Sequence, residues 1–193
     1  MSAAEREEEE RRLIDPNAYL QDCFRLAELI WRDGYRPDFL VGLWRGGAPP
    51  GIVIQEFFRW KGQDPYHTAI RTQSLEGVLF GDGFDIKGFE HVIDVVEAEH
   101  RMLLVDDLFD TGRTMYEVIR YLRRKARRNT PEVRVAVVYY RPDRRRFLVG
   151  PHYYLHETRT MPIFPHRLTA LTPEEIRAAD PEIYEVLFSP TAC

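Results

Sequence analysis

The sequence predicts an α/β domain with a mostly parallel sheet flanked by helices, and three observations carry that reading. Short apolar runs (FLVGLW within Asp38–Trp44, MLLV at Met102–Val105, and Val133–Tyr140) have the continuous hydrophobicity of strands buried on both faces. Amphipathic helical patterns alternate with them, the order that builds parallel sheets. The length, 193 residues, is enough for one substantial core and short for two.

Along the chain, residues 1–14 form a charged extension, MSAAEREEEERRLI, whose composition suits a frayed helix or a disordered tail. Asp15-Pro16 reads as a helix start, with Asp15 as N-cap and Pro16 at the first helical position. Leu20, Cys23, Phe24, Ala27, Ile30 and Trp31 then recur at helical spacing, and Gly34 offers the stop. After the Asp38–Trp44 strand, Gly46-Gly47 breaks the chain and Pro50–Trp60 resumes a helical pattern. His67–Thr72 reads as a strand. Gln73–Gly88 holds Gly77, Gly81, Gly83 and Gly88 without a clear period, which predicts a long mobile loop. A turn or two of helix is expected in Phe89–Glu97, then the Met102–Val105 strand, a Thr114–Lys125 helix, the Val133–Tyr140 strand and a further strand at Tyr153–Leu155. Thr172-Pro173-Glu174-Glu175 is a capping box, and Asp180-Pro181 opens a last short helix. The predicted organisation is the extension 1–14, a core 15–150 and a C-terminal hood 151–193.

Composition excludes several classes of function. A net charge of −4 provides no global positive field for nucleic acid. No apolar stretch approaches the ~18 residues that span a bilayer, and the N-terminal segment lacks the apolar core of a signal peptide. Two cysteines, Cys23 and Cys193, make neither a disulfide framework nor a metal knuckle. A cytoplasmic setting is expected.

Two segments sit where strands end, the edge of an α/β sheet at which ligands bind. In MLLVDDLFDTGRTM (102–115), four apolar residues lead to Asp106 and Asp107, then Asp110 and Thr111-Gly112-Arg113-Thr114 before a helix. Backbone N–H groups, hydroxyls and a helix N-terminus make an anion cradle there, and Gly112 lets the backbone approach a phosphate closely. Two carboxylates beside such a cradle would repel phosphate alone. They suit a ligand that also carries hydroxyls or brings a divalent cation, as a phosphorylated sugar does. The other segment, VGLWRGGAPPG (41–51), read alone, is equally a strand–turn–helix junction.

Taken whole, Val105–Thr114 resembles the signature of type I phosphoribosyltransferases, in which an apolar strand precedes two acidic residues, two variable ones and D-T-G-x-T. VGLWRGGAPPG resembles that family's pyrophosphate loop. The resemblance implies a site for 5-phosphoribosyl-1-pyrophosphate (PRPP) with Mg²⁺. Thr111, Gly112, Arg113 and Thr114 would bind the 5-phosphate. Asp106 and Asp107 would bind the ribose hydroxyls and the metal, and Arg45, Gly46 and Gly47 the pyrophosphate. Asp110 would act as general base at a purine nitrogen, and the peptide before Arg45 can be cis in that family.

Val137–Asp143 (VVYYRPD) and Tyr153–Leu168 resemble the base-binding strand and hood of bacterial hypoxanthine and xanthine–guanine enzymes. Arg141 stands where those enzymes place a Lys against the purine O6, and Met161 and Pro162 stand where an aromatic and a branched aliphatic cover the base. The implied activity is transfer of phosphoribosyl from PRPP to a purine such as hypoxanthine or guanine. The implied products are pyrophosphate and a nucleotide, in purine salvage, by a homodimer or homotetramer. Two alternatives remain: a PRPP- or nucleotide-sensing regulator on the same fold, and the same chemistry on another base. His152, His156 and His166 lack the partners of a metal site. The cluster Arg141, Arg144, Arg145 and Arg146 reads equally as a solvated turn or as a flank of an anionic substrate.

Overall fold

The computed structural model describes residues 10–74 and 83–189. In chain order its elements are β1 (Arg11–Leu13), α1 (Pro16–Arg32), β2 (Phe39–Trp44), α2 (Ala48–Trp60), β3 (Tyr66–Ser74), β4 (Phe84–Lys87), α3 (Glu90–Ile93), β5 (Arg101–Phe109), α4 (Arg113–Ala126), β6 (Glu132–Tyr140), β7 (Tyr153–Glu157), β8 (Met161–Ile163), α5 (Pro173–Ala179) and α6 (Pro181–Phe188). They fall into two units. One is Leu20–Arg159, and the other is the described part of Met1–Tyr19 with that of Thr160–Cys193.

The larger unit carries a six-stranded sheet in the order β4-β3-β2-β5-β6-β7. Every pair is parallel except β3 with β4. Alternation along the strands sends Val41, Leu43, Met102, Leu104, Val135 and Val137 into one cluster with Val118, Ile119 and Leu122 of α4 and Val92 of α3. Leu40, Leu103, Val105, Ala136 and Val138 are buried outside that cluster. Helix α2 packs on β2 and β5, and Trp31 of α1 meets Phe58 of α2 edge-on at 5.3 Å. From β2 the chain passes through α2 to β3 on one side, and from β5 through α4 to β6 on the other. The connections therefore diverge between β2 and β5, and such a switch point opens a crevice beyond the strand ends.

The helix signals act as expected. Asp15 Oδ1 accepts the Ala18 N–H at 2.8 Å, and Gly34 takes φ 79° just after α1. In the smaller unit, Thr172 and Glu175 form the reciprocal capping box of α5. That unit also pairs β1 with β8 in parallel and sets Tyr19 against Phe164 at 5.2 Å.

Four features depart from the sequence expectations. Arg11–Leu13, expected in a frayed helix or a disordered tail, is a strand. Phe84–Lys87, expected in a loop, pairs with β3, whose end takes in Gln73 and Ser74; the middle of that expected loop, 75–82, lies outside the described residues. β7 joins β6 in the main sheet, so the division falls after Arg159 rather than at 150. Met161–Ile163 is a strand although it contains proline.

At the amino end of β7, His152 Nδ1 accepts the Val135 N–H at 3.0 Å, which requires that nitrogen unprotonated. Burial, and then the Arg134 cation, lower its pKa from the ordinary 6.5 against a smaller opposing pull from Glu132. The neutral ring is thus favoured by folding. This contribution is complete above the unfolded value and is lost as pH falls below it toward the folded one. A thermal midpoint falling with pH below about 6.5, and flattened in His152→Gln, is the expected result. Thermal melts across pH 5–8 would show it, and identical profiles for the two proteins would refute it.

Candidate active site

The Thr111–Thr114 loop grows from the end of β5. Gly112 adopts φ 85° at the N-cap of α4, and a Cβ there would lie 2.7 Å from Phe109 Cζ. Conformation and space both require glycine. Thr111 Oγ1 accepts the Arg113 N–H at 3.3 Å, and the first backbone bond of the helix runs from Tyr116 N–H to Gly112 O. The first-turn amides of α4 therefore face the crevice with the positive end of the helix dipole. The chain after β6 braces this loop, since Arg146 N–H donates to Thr111 O at 3.0 Å and Phe147 packs on Tyr116 at 4.9 Å. A cleft of about 180 Å³ is lined by Asp106, Asp110 and Thr111 to Thr114.

The β2 loop is built directly against the acidic pair. The Trp44–Arg45 peptide is cis. A Cβ on Gly46 would lie 2.5 Å from both Asp106 Oδ1 and Asp107 Oδ1, and one on Gly47 would lie 2.0 Å from the Val105 carbonyl oxygen. Asp107 is fully buried, whereas Asp106 is half-buried and lines the cleft. The Asp107 N–H donates to Asp106 Oδ1 at 3.0 Å. Strand parity separates the two, because Asp107 continues the buried row of Leu103 and Val105. Both carboxylates thus pack against the Gly46 backbone. Asp106, which also lines the cleft, is the one that could meet Mg²⁺, a cation that needs only one or two protein carboxylates and completes its shell with ligand and water oxygens. Among the described residues no group of three or more His, Cys, Asp and Glu could hold a metal by itself.

Asp110 hangs over the same cleft. Its Oδ1 is shielded from solvent and faces Arg141 Nη1 at 3.6 Å and Arg144 Nε at 3.5 Å. These are ion-pair distances, longer than hydrogen bonds. The Arg141 side chain is only 3% exposed and also donates from Nη2 to the Arg159 carbonyl at 2.8 Å. β6 delivers it to Asp110 from a buried apolar run. Arg144, which sequence reasoning left undecided, is brought to Asp110 by the turn after β6; its only signal was membership of the arginine cluster. Met161 and Pro162 lie in the smaller unit on β8, Met161 half-buried and Pro162 buried.

Xanthine-guanine phosphoribosyltransferase of Cereibacter sphaeroides is 29% identical over 136 residues, which cover 61% of this chain and 65% of that protein. The match thus spans just under two thirds of the relative's length. Among solved structures, a purine phosphoribosyltransferase from Pyrococcus horikoshii superposes with a TM-score of 0.62 at 23% identity, covering 80% of this chain and 92% of that one. The xanthine-guanine-hypoxanthine phosphoribosyltransferase of Helicobacter pylori gives 0.61 at 15% identity, covering 83% and 95%. These two likenesses show a shared fold. Residues 12–169 match the model of the phosphoribosyl transferase domain. With most of its length inside that match, the chain belongs to the phosphoribosyl transferase domain family.

Proposed function

We propose that this protein transfers the 5-phosphoribosyl group of PRPP to a purine base, releasing pyrophosphate and a nucleoside monophosphate, as a salvage enzyme of the cytoplasm. One observation carries the reading. The phosphate cradle 111–114, the acidic pair 106–107 and the Arg45-Gly46-Gly47 loop meet at the switch point between β2 and β5.

The roles follow from charge and position. The amides of α4's first turn and the hydroxyls of Thr111 and Thr114 hold the 5-phosphate. Asp106, the accessible member of the pair, accepts hydrogen bonds from the ribose hydroxyls, and Asp107 holds the floor beneath it. Arg45 and the backbone of Gly46 and Gly47 receive the pyrophosphate. Mg²⁺ bound at Asp106 would offset charge on the pyrophosphate as it departs. A bond forms from a ring nitrogen of the base to C1′ while the C1′–pyrophosphate oxygen bond breaks, through a state resembling an oxocarbenium ion. Asp110 takes the proton that the base nitrogen sheds.

A 6-oxopurine fits this environment better than adenine, because guanidiniums are donor-only and suit a carbonyl oxygen rather than an amino group. The test is a panel of free bases with PRPP and Mg²⁺, following pyrophosphate release. Hypoxanthine, guanine or xanthine should exceed adenine, by as much as ~10⁴-fold where a buried donor would be left unpaired. Adenine or a pyrimidine as best substrate would overturn the base assignment. PRPP binding without turnover of any base would favour a sensor instead.

A further inference from the structure

We propose that Arg144 is a positioning residue for the transfer reaction, one that acts through Asp110 and touches neither substrate. The proposal rests on the reading of Asp110 as the group that takes the proton of the base. Arg144 belongs to the turn that follows β6, and that turn is fastened on both sides of Asp110. Arg141 N–H donates to the Phe109 carbonyl at 2.9 Å, and Arg146 N–H donates to the Thr111 carbonyl at 3.0 Å. Phe109 and Thr111 are the two chain neighbours of Asp110. Within the turn, Pro142 fixes the first position, and Arg144 N–H donates to the Arg141 carbonyl at 3.2 Å. The backbone alone therefore keeps Arg144 beside Asp110.

The side chains complete the arrangement. Among the described residues, Asp110 is the one carboxylate within ion-pair distance of Arg144, whose Nε lies 3.5 Å from Oδ1. Arg141 Nη1 meets the same oxygen at 3.6 Å. Both cations thus act on Oδ1, which is shielded from solvent, although the Asp110 side chain as a whole is 32% exposed and lines the cleft. The oxygen left open to the cleft is Oδ2. A carboxylate left to itself turns broadly about its last torsion. Held through one oxygen by two guanidiniums, Asp110 presents the other in a single direction, and proton transfer depends on that alignment. The two cations are not equivalent. Arg141 is buried and bonded to the Arg159 carbonyl, whereas the Arg144 side chain is 43% exposed. Substituting Arg144 therefore loosens one side of the clamp without opening the core.

The test measures kcat and KM with PRPP, Mg²⁺ and hypoxanthine or guanine in the full chain carrying Arg144→Gln, Arg144→Lys, Asp110→Asn, or Arg144→Gln with Asp110→Asn. Arg144→Gln should lower kcat by about 3–30-fold, a part of the loss expected of Asp110→Asn, with both KM values nearly unchanged. Arg144→Lys, which keeps the cation, should recover part of it. In the Asp110→Asn background, Arg144→Gln should cost little more, because the group it positions no longer takes the proton. A merely structural role would lower activity in both backgrounds alike. That outcome, a raised KM for the base, or a wild-type kcat in Arg144→Gln would overturn the proposal. Full kcat in Asp110→Asn would remove Asp110 from the chemistry and Arg144 with it. A crippled Asp110→Asn beside an unaffected Arg144→Gln would remove Arg144 alone.

Discussion

Replacing Asp110 by Asn should lower kcat by about 10²–10⁴-fold and leave the KM for PRPP nearly unchanged. Asparagine keeps the size and a hydrogen-bonding oxygen but cannot accept the proton of the base. The geometry adds a second effect. The Arg141 guanidinium, 3% exposed, would face an amide dipole where it now faces a carboxylate at 3.6 Å. Removing one member of a buried ion pair costs ~3–5 kcal/mol when both are buried. Asp110 keeps about a third of its side-chain surface exposed, so the loss here should be well below that range. Arg141→Met should accordingly depress kcat as well, by displacing Asp110, and the double variant should lose less than the sum of the singles. Full kcat in Asp110→Asn would reduce Asp110 to a partner for two arginines.

The largest structural effect is expected from Gly47→Ala. Its Cβ would lie 2.0 Å from the Val105 carbonyl oxygen and 2.5 Å from the Leu43 nitrogen, both of them backbone atoms in the central strands. A flexible side chain could swing away, but paired strands cannot. Overpacking of this kind costs about 1–3 kcal/mol and sometimes more, and a chain of this size loses roughly 2–4 °C of Tm per kcal/mol. A fall of about 2–12 °C in Tm is expected, together with loss of PRPP binding. A variant melting within a degree of wild type would show that the β2 loop can lift off β5.

The sequence displays the strands that are buried on both faces, because their burial is written in every residue. FLVGLW and Val133–Tyr140 needed no context to be read. The strands missed are those whose stability lies in distant partners. Arg11–Leu13 is charged, Met161–Ile163 holds a proline, and each is three residues long, too short to show a period. They pair with each other across some 150 residues of chain. Phe84–Lys87 lay beside glycines that signal a loop more strongly than four residues signal a strand. In the candidate site, the string from Val105 to Thr114 stands out because its carboxylates, glycine and hydroxyls crowd one strand-to-helix turn. The unequal fates of Asp106 and Asp107 were not, although the parity of Leu103 and Val105 carried the information. The pairing of Arg141 with Asp110 was not legible either, since nothing in the string shows that a carboxylate and a carbonyl hold this arginine below the surface.

The seating of Gly46 and Gly47 against β5 also bears on how quickly and how tightly a ligand is captured. Loops that order themselves around a ligand give up conformational entropy on binding, at about 1–2 kcal/mol per residue fixed. Here the backbone proposed to meet the anion already rests on Val105, Asp106 and Asp107 before any ligand arrives. Its entropy was surrendered during folding, and association does not lose it again. Binding to this part of the crevice should therefore resemble entry into a rigid receptor. The encounter should be limited by diffusion and charge steering, with residence time set by the contacts formed rather than by the unfolding of a loop.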